Sequence, residues 1–216
     1  MKEKEDEFLD QTAMRERGYY PKFEKNQIQN TLVFKEVRYL YMIPHLLKKI
    51  KDIKMIFLVR NPVDVIKSWI NAPSEYKDDW DIYEEWYFAT KKNEFLIENY
   101  YGYAKWQEAV VLFYEMKQKY PENVMIVNYD ELCSNAITEI NGIFKFCGID
   151  YLEQTKQFLI ESQTKTVDNA YGVYRNKNQQ RQYKRQLPED IINWIQEDTV
   201  RFLNVKYIEG IHDLKL

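Results

Sequence analysis

Arg60 and Ser68 are the residues of this sequence whose types and spacing most directly suggest a chemical role. Arg60 follows the continuous apolar run Met55–Val59, which is typical of a strand buried on both faces of a parallel sheet. Pro62 suits the first turn of a helix, so Ser68 comes about two turns into that helix. A guanidinium fork matches phosphate oxygens, and helix-start amides add donors, so the pattern indicates an anion site. A second interpretation stays open, in which Arg60 pairs with Asp64 and Ser68 faces solvent.

Tyr129 holds the corresponding place after a second apolar run, residues 124–127. Arg60 and Tyr129 therefore each follow a predicted strand, and both are expected at the carboxyl edge of one sheet. Open α/β sheets bind their ligands at that edge. The sequence thus predicts a ligand site built from the ends of two strands.

The alternation of strand and helix patterns predicts an α/β fold, a three-layer sandwich with a mainly parallel sheet. No internal repeat or low-complexity linker divides the chain, so residues 1–216 are predicted to form a single domain. A further strand is predicted over residues 31–37, which are rich in β-formers. Helices are predicted over residues 2–17, 40–50, 62–70, 137–146, 152–161 and from 188 onward, with two more between 80 and 120 that break near 100–102. Residues 162–185 are predicted to be an ordered or ligand-ordered loop.

Charge and composition narrow the classes of function. The 216 residues carry a formal net charge of −3 with a pI near 5.6, which disfavours a general binder of nucleic acid or anionic membranes. Cys133, Cys147, His45 and His212 have no metal-ligand spacing, so neither a metal site nor a disulfide framework is predicted. No run approaches the ~20 apolar residues of a membrane span. Reduced thiols and a charged N-terminus favour a cytoplasmic protein.

Residues 59–68, 127–132 and 181–191 together carry a family resemblance. In that order they resemble the 3′-phosphate motif, the Tyr-Glu-Asp-Leu element, and the donor-binding loop with final helix of sulfotransferases that use 3′-phosphoadenylyl sulfate (PAPS). Tyr183 stands where that family usually has a Trp. The resemblance covers residues 32–207 in order, and it implies a P-loop-NTPase-like sulfotransferase fold.

The resemblance implies roles for individual residues. Arg60 and Ser68 would hold the 3′-phosphate of the donor, and Tyr129 would line its adenine pocket. Arg175 and Lys177 are the further phosphate ligands that it implies, although the family's Arg-Lys-Gly triplet is absent there. The alternative for these two residues is a solvated basic loop. No metal ion is implied.

The resemblance also bears on the catalytic base. Lys35, Glu36 and Val37 stand where cytosolic members carry Lys-Thr-His. Lys35 matches that pattern, and Glu36 is the nearest replacement for the absent His. Lys35 and Glu36 are therefore the predicted catalytic residues, with Glu36 as the base for the acceptor hydroxyl. The alternative for Glu36 is an exposed acid at a helix start.

One element of the family pattern is absent from this sequence. No Gly-x-x-x-x-Gly-Lys pattern occurs, and residues 1–30 contain nothing similar to the loop that binds the 5′-phosphosulfate. The fold is therefore expected to be incomplete at its N-terminus. A missing upstream segment or a partner chain would supply the loop.

Three functions follow as hypotheses. The first is a PAPS-dependent sulfotransferase that passes a sulfuryl group to a hydroxyl or amine of a small-molecule or carbohydrate acceptor, inactive if the loop is not supplied. The second is a fragment that binds 3′-phosphoadenosine 5′-phosphate (PAP) without turnover, and the third is a P-loop kinase relative. The tyrosine-rich residues 76–103 would shape the acceptor pocket or, alternatively, pack in the core.

Overall fold

The computed structural model describes residues 31–165 and 183–205, together with Glu16, Gly18, Pro21 and Phe23. The predicted helix over residues 2–17 and most of the predicted loop over residues 162–185 lie outside these described residues.

The chain divides into two compact units. The smaller unit comprises residues 1–33 and 149–182, and the larger unit comprises residues 34–148 and 183–216. The single domain over residues 1–216 stays a prediction.

The described residues contain two strands, each followed by helices, at the places where the sequence predicts strands over residues 55–59 and 124–127. In chain order the elements are a 3₁₀ turn Leu40–Met42, α1 Ile43–Lys49, β1 Met55–Val59, α2 Pro62–Ile70, α3 Ile82–Glu85, α4 Thr90–Asn93, α5 Tyr103–Lys119, β2 Val124–Asn128, α6 Tyr129–Ser134, α7 Ala136–Cys147, α8 Glu153–Thr164 and α9 Glu189–Val205. Helix α8 belongs to the smaller unit, and the other elements belong to the larger unit.

The sheet of the larger unit, within the described residues, consists of β1 and β2 in parallel. Their register runs from Met55 opposite Val124 to Val59 opposite Asn128. Parallel strands cannot be joined by a tight turn, so the chain crosses over through α2 to α5 before β2 begins.

At least one helix packs against each face of this sheet, although Ile56 and Leu58 of β1 stay 38% and 48% exposed. On one face, Phe113 of α5 stacks on Phe57 of β1 with the ring centroids 4.2 Å apart. On the other face, a Cβ placed on Gly142 of α7 would lie 4.0 Å from the side chain of Met125. This arrangement confirms the α/β fold with helices on either side of a parallel sheet.

The main core lies between β1, α2, α5 and α9. Each of these helices turns its apolar stripe inward, as its spacing of three and four residues predicts. The least exposed apolar side chains of these three helices are Ile66, Ile70, Tyr103, Val110, Ile195 and Leu203, each at 1% or less. Burial of such side chains, each worth about 1.5–3 kcal/mol, fixes α2 against the strand that precedes it.

Residues 31–37 are not a strand, and that prediction is wrong. Leu32, Val33 and Phe34 are 87%, 78% and 65% exposed, and the residues lie in an irregular conformation. β-formers become a strand only when a neighbouring strand supplies hydrogen bonds and packing. Within the described residues, β1 and β2 pair only with each other.

Residues 80–102 form short helices and turns, where the sequence predicted one longer helix. The buried Asn93 side chain explains this difference. Its amide donates to the carbonyl oxygens of Phe88 (2.8 Å) and Tyr101 (2.9 Å), and its Oδ1 accepts from the Tyr101 N–H (3.1 Å). These backbone groups are then satisfied without a continuous helix. The predicted break is confirmed, because α5 begins directly after Gly102.

No helix among the described residues is long and apolar enough to cross a membrane.

Replacing Gly102 by Ala is expected to lower the free energy of unfolding by about 3 kcal/mol or more. Gly102 has a φ of +86°, and an added Cβ would lie 2.6 Å from the Tyr87 carbonyl oxygen. Gly148→Ala is the matched control, since Gly148 also has a positive φ (+67°) but nothing lies within 4 Å of its added Cβ. It should cost only about 1–2 kcal/mol. Urea unfolding followed by circular dichroism measures both losses, and equal losses would contradict the close approach at Gly102.

Candidate active site

The register of the sheet places Arg60 beside Tyr129. Val59 and Asn128 are the last paired residues of β1 and β2, so the residues that follow them leave the sheet side by side. The guanidinium carbon of Arg60 lies over the Tyr129 ring, 4.8 Å from its centroid. Such a cation–π contact is worth about 0.5–2 kcal/mol, depending on how far water is excluded. The structure therefore brings together the cation and the aromatic ring that the sequence placed at the ends of two strands.

An asparagine side chain caps the helix that follows each strand. Asn61 Oδ1 accepts from the Val63 N–H at 2.9 Å. Asn128 Oδ1 accepts from the N–H groups of Asp130 (2.8 Å) and Glu131 (3.3 Å). These caps bind first-turn N–H groups, so α2 begins after two intervening residues and α6 begins directly after its strand. An Asn at each strand-to-helix junction is a signal that sequence reasoning missed.

Arg60 is partly buried between two carboxylates. Its side chain is 23% exposed, and its Nη2 donates to Asp64 Oδ2 at 3.3 Å. Its Nε lies 3.9 Å from Asp130 Oδ1, beyond hydrogen-bond distance. Within the described part of the chain, this buried Nε has no hydrogen-bond partner. An unsatisfied buried donor costs about 1–3 kcal/mol, so an acceptor that reached it would be bound favourably.

The Arg60 main chain is fixed from the other side of the core. Trp106 of α5 donates its Nε1–H to the Arg60 carbonyl oxygen at 3.0 Å. This bond ties the end of β1 to the long crossover helix. Sequence reasoning assigned no role to Trp106 or Asp130, because both act through contacts that only the fold creates.

Ser68 lies on the same face of α2 as Asp64. Asp64 and Ser68 are four residues apart, which is the spacing of side chains along one helix face. Arg60 also precedes Asp64 by four residues. Ser68 is half-buried and lies about 6 Å along the helix axis from Asp64. One face of α2 thus carries both an acid and a hydroxyl, and the acid contacts Arg60.

The predicted catalytic residues lie in an exposed segment. Lys35 and Glu36 are both exposed. Glu36 Oε1 accepts from the N–H groups of Val37 (2.8 Å) and Arg38 (2.7 Å), which is the geometry of a side chain that caps a turn. Catalytic roles for Lys35 and Glu36 stay predictions.

The basic part of the predicted loop over residues 162–185 is described only at its C-terminal end, from residue 183 onward. Arg175 and Lys177 lie outside the described residues. Arg185, from the same basic stretch, has a side chain that is 18% exposed and donates from Nη1 to the Ile70 carbonyl oxygen at 2.7 Å. Its Nη2 also pairs with Asp78. Arg185 therefore holds the chain against the end of α2 through contacts within the protein.

Asn71 completes this attachment. Its Oδ1 accepts from the Arg185 N–H at 2.8 Å, and its amide donates to the Arg185 and Lys67 carbonyl oxygens, each at 2.9 Å. One side chain thus joins the C-terminal end of α2 to the segment that leads into α9. Sequence reasoning missed Asn71, although an Asn directly after a helix is a usual capping residue.

The tyrosine-rich region supplies core residues as well as surface. Tyr76 is 2% exposed and donates to the Trp80 carbonyl oxygen at 3.1 Å. Burial, together with the nearby Glu85 carboxylate, raises the pKa of Tyr76 to about 12, so its hydroxyl keeps its proton. Tyr103 is fully buried, whereas Tyr83 is 59% exposed. Tyr76 and Tyr103 therefore follow the core-packing alternative.

Comparison with known proteins gives one family match. The model of the sulfotransferase domain matches residues 7–206. A solved structure, the mouse sulfotransferase SULT7A1 complexed with PAP, is similar with 19% sequence identity and a TM-score of 0.47. The alignment covers 82% of this chain and 65% of the mouse chain, so this chain spans less than two thirds of that protein's length. No curated protein sequence matches the chain significantly.

Replacing Asn71 by Ala is expected to destabilise the larger unit by about 2–3 kcal/mol, because three backbone groups lose their partner. Asn135→Ala is the matched control, since Asn135 also directly follows a helix, but its exposed side chain donates only to Glu131 and Ser134 among the described residues. The control should cost about 0.5 kcal/mol or less. Thermal unfolding monitored by calorimetry compares the two, and a loss of stability in Asn71→Ala no larger than in the control would contradict the attachment described above.

Proposed function

Because the chain belongs to the sulfotransferase domain family, we propose that it is an enzyme that binds PAPS and transfers the sulfuryl group to an acceptor. The family match spans residues 7–206 and includes both strand ends of the candidate site. It favours a sulfotransferase over a P-loop kinase relative.

The observation that carries the proposal is the state of Arg60. Its guanidinium is partly buried at the carboxyl end of β1, lies over the Tyr129 ring, and has a buried Nε without a hydrogen-bond partner in the described part of the chain. A 3′-phosphate oxygen would accept from this Nε, since arginine binds phosphate through adjacent N–H groups. The Ser68 hydroxyl would add a donor, and the Tyr129 ring would contact the adenine.

The remaining roles follow from the chemistry of the transfer. The sulfuryl group must be held in line with the acceptor, the leaving phosphate must be neutralised, and the acceptor hydroxyl must lose its proton. Arg175 and Lys177 are proposed as further phosphate ligands, Lys35 as a cation near the leaving group and Glu36 as the base. A hydroxyl or amine of a small molecule or carbohydrate is the proposed acceptor. The cytoplasmic location also stays a prediction.

A second candidate function is the binding of PAP without turnover. It is favoured by the position of Glu36, whose carboxylate already accepts two backbone hydrogen bonds in an exposed segment. Incubating the chain with PAPS and a panel of phenols, sugars and amines, and measuring release of PAP, separates the two. If the chain binds PAP but produces no PAP from PAPS in any of these mixtures, the result would support the binding function.

Arg60→Ala is expected to weaken PAP binding at least about 30-fold, because the 3′-phosphate loses a partly buried cation. Isothermal titration calorimetry of the purified chain measures the dissociation constant. Arg201→Ala is the matched control, since Arg201 is 69% exposed on α9 and forms an ion pair only with Asp198 in the part of the chain that the structure describes. It should leave the affinity unchanged.

Adenosine 5′-phosphate lacks the 3′-phosphate and should bind weakly to the parent chain and to Arg60→Ala alike. PAP binding that is the same in the parent chain and in Arg60→Ala would contradict the proposed site.

A further inference from the structure

We propose that Asp130 determines affinity at this site by competing with the bound anion for Arg60. The inference rests on the proposed function, because it takes the 3′-phosphate as the anion that Arg60 binds. Residues that bind the 3′-phosphate raise the affinity for the nucleotide. Asp130 would have the opposite effect, because its carboxylate weakens nucleotide binding.

The two carboxylates beside Arg60 differ in how they hold it. Asp64 accepts a hydrogen bond from Nη2 and follows Arg60 by four residues, at the start of α2. Asp130 lies 3.9 Å from Nε, too far for a hydrogen bond. Asp64 therefore orients the guanidinium, whereas Asp130 acts on it through charge alone.

Asp130 lies near Arg60 Nε, the atom to which an incoming anion would bind. The Arg60 Nε is buried and without a hydrogen-bond partner in the described residues, and Asp130 Oδ1 is the acidic oxygen that approaches it. A phosphate oxygen that accepted from Nε would lie close to this carboxylate. The two like charges would then repel each other.

The fold prevents Asp130 from moving far away. Its N–H is bound by the Asn128 cap, and it stands in the first turn of α6 directly after β2. Its side chain is 36% exposed, so water screens its charge only in part. A single carboxylate about 6 Å from a phosphate in such surroundings weakens binding by roughly 3-fold to 30-fold.

The effect would apply equally to donor and product, since both carry the 3′-phosphate. It lowers the affinity for the nucleotide in general and so limits how tightly the product is held. Asp130 is thus an affinity-determining residue that takes no part in the transfer itself.

Titration calorimetry with PAP on Asp130→Asn tests the inference. The substitution removes the charge and keeps the size of the side chain, and PAP should bind between about 3-fold and 30-fold tighter than to the parent chain. Adenosine 5′-phosphate should bind with unchanged affinity. Asp130→Ser, which can also stand at a helix start, is the second variant and should tighten PAP binding in the same way.

Glu131→Gln is the matched control, because Glu131 is the next acid on the same helical turn and is not an ion-pair partner of Arg60 in the described residues. Its PAP affinity should change less than 2-fold, as a rough bound for a screened charge. Unchanged or weaker PAP binding by both Asp130 variants, while Arg60→Ala still weakens it at least about 30-fold, would overturn the inference alone. Equal tightening toward PAP and adenosine 5′-phosphate would also overturn it. PAP binding that does not depend on Arg60 would overturn the proposed function and this inference with it.

Discussion

The parallel pairing of β1 with β2, with Val59 opposite Asn128, is the constraint on which the rest of the site depends. A shift of one residue in this register would turn every side chain of β2 to the other face of the sheet. It would also separate Arg60 from Tyr129. The stack of Phe57 on Phe113 helps to hold β1 against α5.

The positive charge of the site is local, because the chain as a whole carries no excess of basic residues. The formal net charge is −3, and Arg60 itself stands between two carboxylates. Selective binding of an anion then depends on geometry more than on long-range attraction, since distant surface charges are screened within about 10 Å. Asp64 accepts a hydrogen bond from the Arg60 guanidinium, which lies over the Tyr129 ring, and Asp130 Oδ1 lies 3.9 Å from Nε. Another basic residue of the larger unit, Arg185, has its guanidinium bound by the Ile70 carbonyl oxygen and Asp78.

Local signals were enough to predict the elements that position the site. The apolar run of β1 and Pro62 at the start of α2 predicted a strand and a helix, and both form at the expected places. The expectation that β1 is buried on both faces is wrong, since Ile56 and Leu58 are 38% and 48% exposed. Prediction failed where a segment depends on distant partners. Residues 31–37 have the composition of a strand but pair with neither strand that the structure describes, and the turns over residues 80–102 depend on the buried Asn93. Asp130 could not be recognised from the sequence, because its nearness to Arg60 results from the register of two strands far apart in the chain.

The most direct test of the account is to observe the Arg60 Nε–H by nuclear magnetic resonance while PAP is added. The side-chain Nε–H signals of the isotope-labelled chain can be assigned by comparison with Arg60→Lys. The Arg60 signal should move downfield and become protected from exchange with water as PAP saturates the chain, since a phosphate oxygen then accepts a hydrogen bond from Nε–H. Adenosine 5′-phosphate should leave this signal in place. Saturation with PAP while the Arg60 signal stays unchanged and another arginine responds would contradict the central claim that Arg60 binds the 3′-phosphate.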